Sequence, residues 1–306
     1  MVYSFVVLLL MVTRSHTARP RPAQLLVRPA APPRSSGILA TAVAASVSAE
    51  SSCFESVWIS PEPEAADLRS QTAALRSGDA VLCVPNAVKK EEIASLVDAS
   101  IAAAESQRDA RTCFLPARVR LHVPVDLPSD AIAVCDDILR RMLALLDSEL
   151  PSIASSMFDS NSLLQLFDDG DLEYSAREPA VNVYNEKGLF TPHKDHHALT
   201  VLIPLTSPDD GSFEGGSFEG GGTGYWTPED YRRDQRSTSR GGALHPTVLL
   251  RQEAGTAMLF SGDVTHCGMP VKSGTRLVFV ASFSTRISAQ TLIRRAEQRV
   301  AERAAS

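Results

Sequence analysis

The chain has 306 residues, of which 44% are hydrophobic, and it carries a formal net charge of −6. This length allows one large domain or two small ones, and the apolar fraction is sufficient for a sizeable core. Five arginines and no acidic residue precede Glu50, so the rest of the chain has 25 basic against 36 acidic residues. Nucleic acid binds to basic surfaces, and we therefore expect no nucleic acid among the partners.

Residues 1–50 have the composition of a targeting leader or a disordered tail. The apolar run from Tyr3 to Val12 is too short to span a bilayer but suits the core of a secretory signal peptide. The following segment is rich in Arg, Ala, Ser and Pro, as transit peptides are. We expect the secretory pathway and ER, with a plastid or other organelle reached through a bipartite leader as the alternative. No stable transmembrane span is expected.

Residues 51–175 are predicted to form an N-terminal helical support region. A short strand is expected at Asp79–Pro85, and apolar residues at helical spacing predict a helix over Val88–Gln107. A second helix is predicted over Ser129–Pro151, with Ser129 as its N-terminal cap. A shorter helical piece is predicted at Ser162–Phe167.

Residues 176–286 show the pattern of β-structure, because short apolar runs separated by turn residues replace the helical stripes. The runs are AVNVYN, ALTVLIPL, TVLLRQ, TAMLF and TRLVFVASFS. Several short strands joined by glycine and proline are typical of a sandwich or barrel. The polar and basic segment Asp230–Gly242 predicts a mobile loop at the mouth of a site. Residues 287–306 predict a charged C-terminal helix.

The stretch VNVYNEKGLFTPHKD contains two candidate metal ligands, His193 and Asp195. On an extended strand, side chains two residues apart point to the same face. His266, in SGDVTHCGMP, is the best candidate for a third ligand, although nearby glycines allow a turn histidine instead. Two histidines and a carboxylate form the facial triad of non-haem Fe(II) oxygenases, which leaves coordination positions open. For His196 and His197 we expect a supporting or substrate-facing role.

Arg276 and Tyr184 are candidates for binding an anionic co-substrate. Arg276 stands ten residues after His266 and opens the apolar run RLVFVASF. A charge beside a buried strand needs an anionic partner, and a bound dicarboxylate would supply one; the alternative is a solvated charge. Tyr184 alternates with Val181 and Val183, so it could face the same cavity or simply pack.

The order of His-Lys-Asp, a distal His and an Arg ten residues on resembles that of the 2-oxoglutarate/Fe(II)-dependent dioxygenases. Within that superfamily it most resembles the prolyl and lysyl hydroxylase-like group. The matching stretches are VNVYN, ALTVLIPL and FEGGGTGYW, and the resemblance covers Ala180 to Ser284. It implies a fold that is mostly β with supporting helices, on a double-stranded β-helix (jelly-roll) core over residues 176–286. The prolyl hydroxylases often hold the distal carboxylate with Lys, and this chain has Arg276 instead.

The resemblance also implies an activity: hydroxylation of a C–H bond with Fe(II) and 2-oxoglutarate, with release of succinate and CO2. Ascorbate is the reductant that the resemblance implies for oxidised iron. A peptidyl proline or lysine is the favoured substrate, and a small molecule is the alternative. Two other classes are a zinc- or manganese-bound cupin-like barrel, which would not need Arg276, and a binding module with a decayed site. The intact candidate residues speak against decay.

Overall fold

The computed structural model describes residues 53–60, 70–107, 116–209, 216–238 and 243–286. The predicted leader (residues 1–50) and the predicted C-terminal helix (residues 287–306) lie outside the described residues. Within the described part, no helix is long and apolar enough to cross a membrane.

The described residues form seven helices and fourteen strands. The helices are α1 (Gln71–Ser77), α2 (Lys90–Ser106), α3 (Val123–Asp126), α4 (Ser129–Glu149), α5 (Ser152–Phe158), α6 (Leu163–Asp168) and α7 (Pro228–Thr238). The strands are β1 (Glu55–Trp58), β2 (Ala80–Val84), β3 (Arg118–His122), β4 (Leu172–Tyr174), β5 (Ala180–Tyr184), β6 (Phe190–His193), β7 (Leu199–Pro204), β8 (Phe218–Gly220), β9 (Thr223–Trp226), β10 (Val248–Leu250), β11 (Ala257–Phe260), β12 (Thr265–Gly268), β13 (Val271–Gly274) and β14 (Arg276–Thr285).

These strands form three sheets with antiparallel pairing. The large sheet has the order β1-β2-β11-β7-β14-β5-β3, with β4 added to β14. The small sheet has the order β10-β9-β12-β6, and β13 pairs with β8. Strands that are distant in the chain are neighbours in both larger sheets, as in a jelly roll. The predicted jelly-roll core with supporting helices is therefore confirmed, and the five predicted apolar runs are β5, β7, β10, β11 and β14.

The central strands of the large sheet, β2, β11, β7, β14 and β5, are buried on both faces, whereas β1, β3 and β4 are partly exposed. Alternate residues of the central strands belong to different layers. On β14, Leu277, Phe279 and Phe283 pack in the core that the large sheet shares with the helices. Val278 instead packs in a second core with side chains of the small sheet. Arg276 has the same parity as Val278 and lines the cavity beside that second core. The alternation along β14 therefore points Leu277 and Phe279 towards the helices, and Arg276 and Val278 towards the cavity.

Helix α4 covers the outer face of the large sheet with the apolar stripe that its sequence predicts. Ile138, Leu139, Leu143 and Leu146 are fully buried and belong to the core that includes β14. Burying each such side chain stabilises the fold by about 1.5–3 kcal/mol. The predicted Ser129 cap is wrong: Pro128 holds the cap position in an extended conformation, without a side-chain hydrogen bond to the helix. Ser129 is already helical, so its hydroxyl does not lie before the first turn.

The region predicted as helical support contributes more than helices. Its strands β1, β2, β3 and β4 all pair within the large sheet, where β2 lies between β1 and β11. The helices and these strands therefore complete the core of the same fold. The boundaries at residues 175 and 176 remain a prediction about chain organisation.

The segment predicted as a mobile loop, Asp230–Gly242, instead begins inside helix α7. The Thr227 hydroxyl accepts a hydrogen bond from the backbone N–H of Asp230 at 3.1 Å, which caps the first turn. Trp226 donates to the carboxylate of Asp234 at 3.1 Å and anchors the helix to β9. The polar composition therefore reflects a solvated helix held by a cap and one buried carboxylate. Residues 239–242 lie outside the described part of the chain.

Candidate metal centre

Two adjacent strands of the small sheet bring His193 and His266 together. His193 is the last residue of β6, His266 lies on β12, and the two are direct partners in the antiparallel register. Their ring centroids are 4.4 Å apart. The two histidines are far apart in the chain, but their side chains are cross-strand neighbours on one face of the small sheet.

Asp195 completes the group from the segment that follows β6. The predicted strand ends at His193, and the chain turns at His196, whose φ is +58°. Oδ1 of Asp195 lies 3.3 Å from Nε2 of His193, and Oδ2 lies 3.6 Å from Nε2 of His266. Among the described residues, one ligand atom from each of these three side chains lies within 4.8 Å of the others. The structure thus brings together the three predicted ligands.

The tautomer of each histidine follows from the contact that its Nδ1 atom makes. Nδ1 of His193 lies 2.9 Å from the carbonyl oxygen of Thr191, and Nδ1 of His266 lies 3.1 Å from that of Val264. A carbonyl only accepts, so both Nδ1 atoms carry a proton, and Nε2 of each neutral ring presents a lone pair. Two imidazole lone pairs and the carboxylate of Asp195 therefore converge on one point.

This convergence fits a divalent metal. Two ligand atoms that each lie about 2.1 Å from a metal ion, with a right angle at the metal, are about 3 Å apart. The carboxylate oxygens of Asp195 lie 3.3 Å and 3.6 Å from the two Nε2 atoms, which is close to that spacing. The donor set of two neutral imidazoles and one carboxylate is that of the facial triad.

Burial and hydrogen bonding set the charges of these groups. Burial acts to raise the pKa of the Asp195 carboxyl, but the neighbouring imidazoles of His193 and His266 and the hydrogen bond from the Thr200 hydroxyl together hold that pKa below its usual range. Burial lowers the pKa of His266, and this effect outweighs the nearby Asp195 carboxylate, which acts to raise it. Asp195 is therefore ionised and His266 neutral at pH 7, which are the forms that bind a metal.

Thr200 supports the centre, and the sequence analysis missed this residue. Its hydroxyl donates to Oδ2 of Asp195 at 2.6 Å, and its side chain is fully buried on β7. Groups that orient a metal-binding carboxylate in this way fix its position and its basicity. The available signal was a lone polar residue within the apolar run ALTVLIPL, on the opposite face from Val201.

The candidate co-substrate residues lie in the cavity that begins at the metal centre. Tyr184 and Arg276 are direct partners in the pairing of β5 with β14, and both line the cavity with the three candidate ligands. The guanidinium of Arg276 lies 5.4 Å from the centre of the Tyr184 ring. Nη2 of Arg276 donates to the Thr223 hydroxyl at 2.9 Å. Thr223 is a second supporting residue that the sequence analysis did not assign to the site.

Arg276 is a buried cation without an acidic partner among the described residues. It is 3% exposed, and burial lowers the pKa of its guanidinium. A second arginine of the cavity, Arg120, is paired with the buried carboxylate of Glu178. Asp195, the other carboxylate of the cavity, faces the two imidazoles. Among the described residues that line this cavity, Arg276 is therefore the positive charge without a carboxylate partner, and a bound anion would neutralise it.

The hydroxyl of Tyr184 forms no hydrogen bond to any other described residue, and burial raises its pKa, so it is a neutral donor. Gly268 lies against it, since a Cβ at that position would be 3.0 Å from the hydroxyl oxygen. The small residue on β12 thus leaves room for the phenol ring beside the metal centre.

The remaining histidines are outside the group of three. His196 is exposed at the rim, with its side chain 3.9 Å from the carboxylate of Asp263. Nδ1 of His197 lies 3.4 Å from the Ser284 hydroxyl, and neither ring belongs to the cluster of ligand atoms. The expected supporting or substrate-facing roles of His196 and His197 remain predictions.

The described fold is a jelly roll whose small sheet carries a His-x-Asp…His cluster. No protein-family model matches the chain, and no curated protein matches it. Among solved structures, it is similar to a viral collagen prolyl hydroxylase of Paramecium Bursaria Chlorella virus-1 in complex with 2OG, at 15% identity and a TM-score of 0.42, over 68% of this chain and 97% of that one. It is also similar to an oxidoreductase of the 2OG-Fe(II) oxygenase family from Burkholderia pseudomallei, at 16% identity and a TM-score of 0.37, over 70% and 88% of the two chains.

A third similar structure is HygX from Streptomyces hygroscopicus with nickel and 2-oxoglutarate bound, at 14% identity and a TM-score of 0.43, over 71% of this chain and 87% of that one.

Proposed function

We propose that this protein is an Fe(II)- and 2-oxoglutarate-dependent dioxygenase that hydroxylates a C–H bond, with release of succinate and CO2. One observation carries the proposal. A facial set of metal donors (His193, Asp195 and His266) and an uncompensated buried cation, Arg276, line the same cavity. The three donors suit a bound metal ion, and Arg276 suits a bound anion close to that metal.

His193, Asp195 and His266 would hold the iron, and this set leaves three positions of an octahedral ion free for other ligands. Bound iron with 2-oxoglutarate supplies the oxidising chemistry. The protein itself fixes the ligands: the carbonyls of Thr191 and Val264 orient the imidazoles, and Thr200 orients the carboxylate.

Arg276 and Tyr184 would bind the carboxylate of 2-oxoglutarate that lies away from the metal. The guanidinium offers donors in a planar fork that matches a carboxylate, and the neutral phenol offers one further hydrogen bond. Thr223 holds the fork in place through Nη2. Burial makes each contact stronger than it would be in water, and it also excludes solvent from the reacting end.

A zinc- or manganese-bound cupin-like barrel is the second candidate, and the three donors alone would suit it. It gives no role to Arg276, whose burial without an acidic partner among the described residues is costly. The oxygenase accounts for both features and is preferred. Ascorbate as a reductant and a peptidyl or small-molecule substrate are finer parts of the same proposal.

The test is anaerobic titration of the protein with Fe(II) and 2-oxoglutarate, followed by succinate release in air with ascorbate present. We expect a weak visible charge-transfer band and slow succinate release even without substrate. His193→Ala and Asp195→Ala should lose iron binding and turnover together. His245→Ala is the matched control, because His245 lies outside the cluster and should keep both. Near-normal Fe(II) affinity in both ligand variants would remove the ligand assignment. A protein that binds Fe(II) but gives neither the band nor succinate would favour the cupin-like barrel.

A further inference from the structure

A second cleft adjoins the metal centre on its exposed side. It has a volume of about 370 Å³ and lies between the residues around His193 and helix α7. This volume is within the range of sites for small organic ligands. The side chain of His193 is 26% exposed, against 7% for Asp195 and 5% for His266, so the metal centre opens towards this cleft. His193 lines both the cleft and the inner cavity.

The cleft is cationic although the chain as a whole is acidic. Lys194 and Arg232 line it, and none of the described residues in its lining is acidic. Neither cation forms an ion pair with another described residue; Nε of Arg232 donates to the Pro228 carbonyl at 3.2 Å. The carboxylate of Asp263 lies near the rim of the cleft, 3.9 Å from Nδ1 of His196.

The neighbouring residue on α7 shows the opposite arrangement. Arg233 forms ion pairs with Glu229 at 3.1 Å and with Asp230 at 2.9 Å, and it does not line this cleft. Two consecutive arginines on one helix therefore differ. Arg233 is neutralised by carboxylates of its own helix, whereas Arg232 forms no ion pair with a described residue and lines both this cleft and a neighbouring one that contains Glu229 and Asp230. Tyr231 adds an aromatic face to the same lining.

We infer that this cleft is the substrate subsite of the proposed oxygenase and that it binds an anionic group of the substrate, a carboxylate or a phosphate, through Lys194 and Arg232. The inference rests on the proposed function, because the position beside His193 makes the cleft the approach to the metal. The inference also bears on the choice between a peptidyl proline and a peptidyl lysine, which the sequence left open. A lysine side chain would meet two like charges at the mouth of the site, so a peptidyl lysine is disfavoured.

The test is binding of three probes to protein that holds Zn(II) in place of iron and saturating 2-oxoglutarate, which fills the inner cavity. The probes are phenylacetate, phenyl phosphate and uncharged phenylacetamide, and binding is measured by saturation-transfer NMR at low salt. Because the two cations are exposed, we expect at least one anion to bind about 2- to 30-fold more tightly than the amide, and high salt should reduce the difference. The better anion identifies the acidic group.

The variants assign the effect to the cleft. Lys194→Gln with Arg232→Gln should abolish the preference for the anion, and Arg233→Gln, the matched control, should keep it. Lys194 lies between the candidate ligands His193 and Asp195, so the Zn(II) affinity of the double variant is measured to show that the metal site is intact. The single variant Arg232→Gln tests the cleft at a position away from the metal. Equal binding of the amide and both anions to the wild type would overturn the inference, as would an unchanged preference in both Arg232 variants.

Succinate release is measured on the same proteins, which separates the two proposals. Iron-dependent turnover of 2-oxoglutarate without any anion preference would reject the substrate subsite and leave the oxygenase standing. Absence of 2-oxoglutarate turnover would reject the oxygenase and with it the assignment of the cleft as a subsite for that reaction.

Discussion

Replacing Arg276 would separate the proposed binding of 2-oxoglutarate from the stability of the fold. Arg276→Met keeps an apolar stem of similar length and removes the guanidinium, and Arg276→Lys keeps the charge but loses the planar fork. Arg276 is 3% exposed, and its guanidinium donates a hydrogen bond to the Thr223 hydroxyl. A bound carboxylate would therefore be its main ionic partner.

The magnitude follows from the kind of contact. A charge-assisted contact, made twice by the guanidinium fork, is worth about 1.5–3 kcal/mol, which corresponds to about a 10- to 150-fold weaker affinity for 2-oxoglutarate in Arg276→Met. In the proposed reaction this contact would be made both before and during the chemical step, so the change should fall chiefly on KM. Arg276→Lys should be intermediate. Fe(II) affinity should change little, because Arg276 is not one of the metal donors.

Stability of the ligand-free protein should change in the other direction. In that state Arg276 is a buried charge without an acidic partner among the described residues, and such a charge costs stability. Arg276→Met should leave the free energy of unfolding unchanged or raise it, although Thr223 loses a hydrogen bond worth about 1 kcal/mol. A residue that lowers stability and raises affinity is the expected trade-off at a functional site.

The assays are KM for 2-oxoglutarate from succinate release, calorimetric titration of the Zn(II)-loaded protein, and urea unfolding without ligand. The matched control removes the pair of Arg120 and Glu178 together, as Arg120→Met with Glu178→Gln, which leaves the net charge of the cavity unchanged. The affinity for 2-oxoglutarate should fall less in this control than in Arg276→Met. An unchanged KM in Arg276→Met would remove Arg276 from the site and with it the main reason to prefer the oxygenase over a generic metal-binding barrel.

Three further predictions concern the surroundings of the metal. Thr200→Val removes the hydrogen bond to Asp195 and should weaken Fe(II) binding about 10- to 100-fold in a metal titration; unchanged affinity would exclude this supporting role. Gly268→Ala places a Cβ 3.0 Å from the Tyr184 hydroxyl, so calorimetry should show weaker 2-oxoglutarate binding at nearly unchanged Fe(II) affinity. The pKa of His266 is lowered in the folded protein, so the unfolded chain takes up the proton first as the pH falls below about 6.5. Metal-free protein should therefore lose stability below that pH, and urea unfolding of His266→Gln should show a smaller loss.

Several features of this protein could be predicted from local spacing in the sequence. The apolar stripe of α4 and the continuous run of β14 are both where their periodicity places them, because burial of one face or of both leaves a regular pattern. The spacing of His193 and Asp195 was a weak signal by itself, and it indicated a metal site only in order with His266 and Arg276. Arg276 was recognisable as a charge at the start of a buried strand, which requires a partner.

The sequence did not determine which residues oppose one another. His193 and His266 face each other only because β6 and β12 are neighbours in the small sheet, and that pairing depends on the packing of the whole jelly roll. Thr200 and Thr223 carry no motif; they support Asp195 and Arg276 because the strands that bear them lie beside the site.

Helix α7 is a surface element that could not be predicted from the sequence, for a related reason. Its polar composition lacks the apolar stripe by which a buried helix is recognised, so the sequence predicted a loop. The helix is stable because Trp226 contacts Asp234 and because Thr227 caps its first turn. What the sequence by itself determined were the donor types and the alternation of faces, since both are local properties. Only the tertiary structure decided which face of each strand meets the metal centre and that Arg232 meets the cleft, because these depend on contacts between residues far apart in the chain.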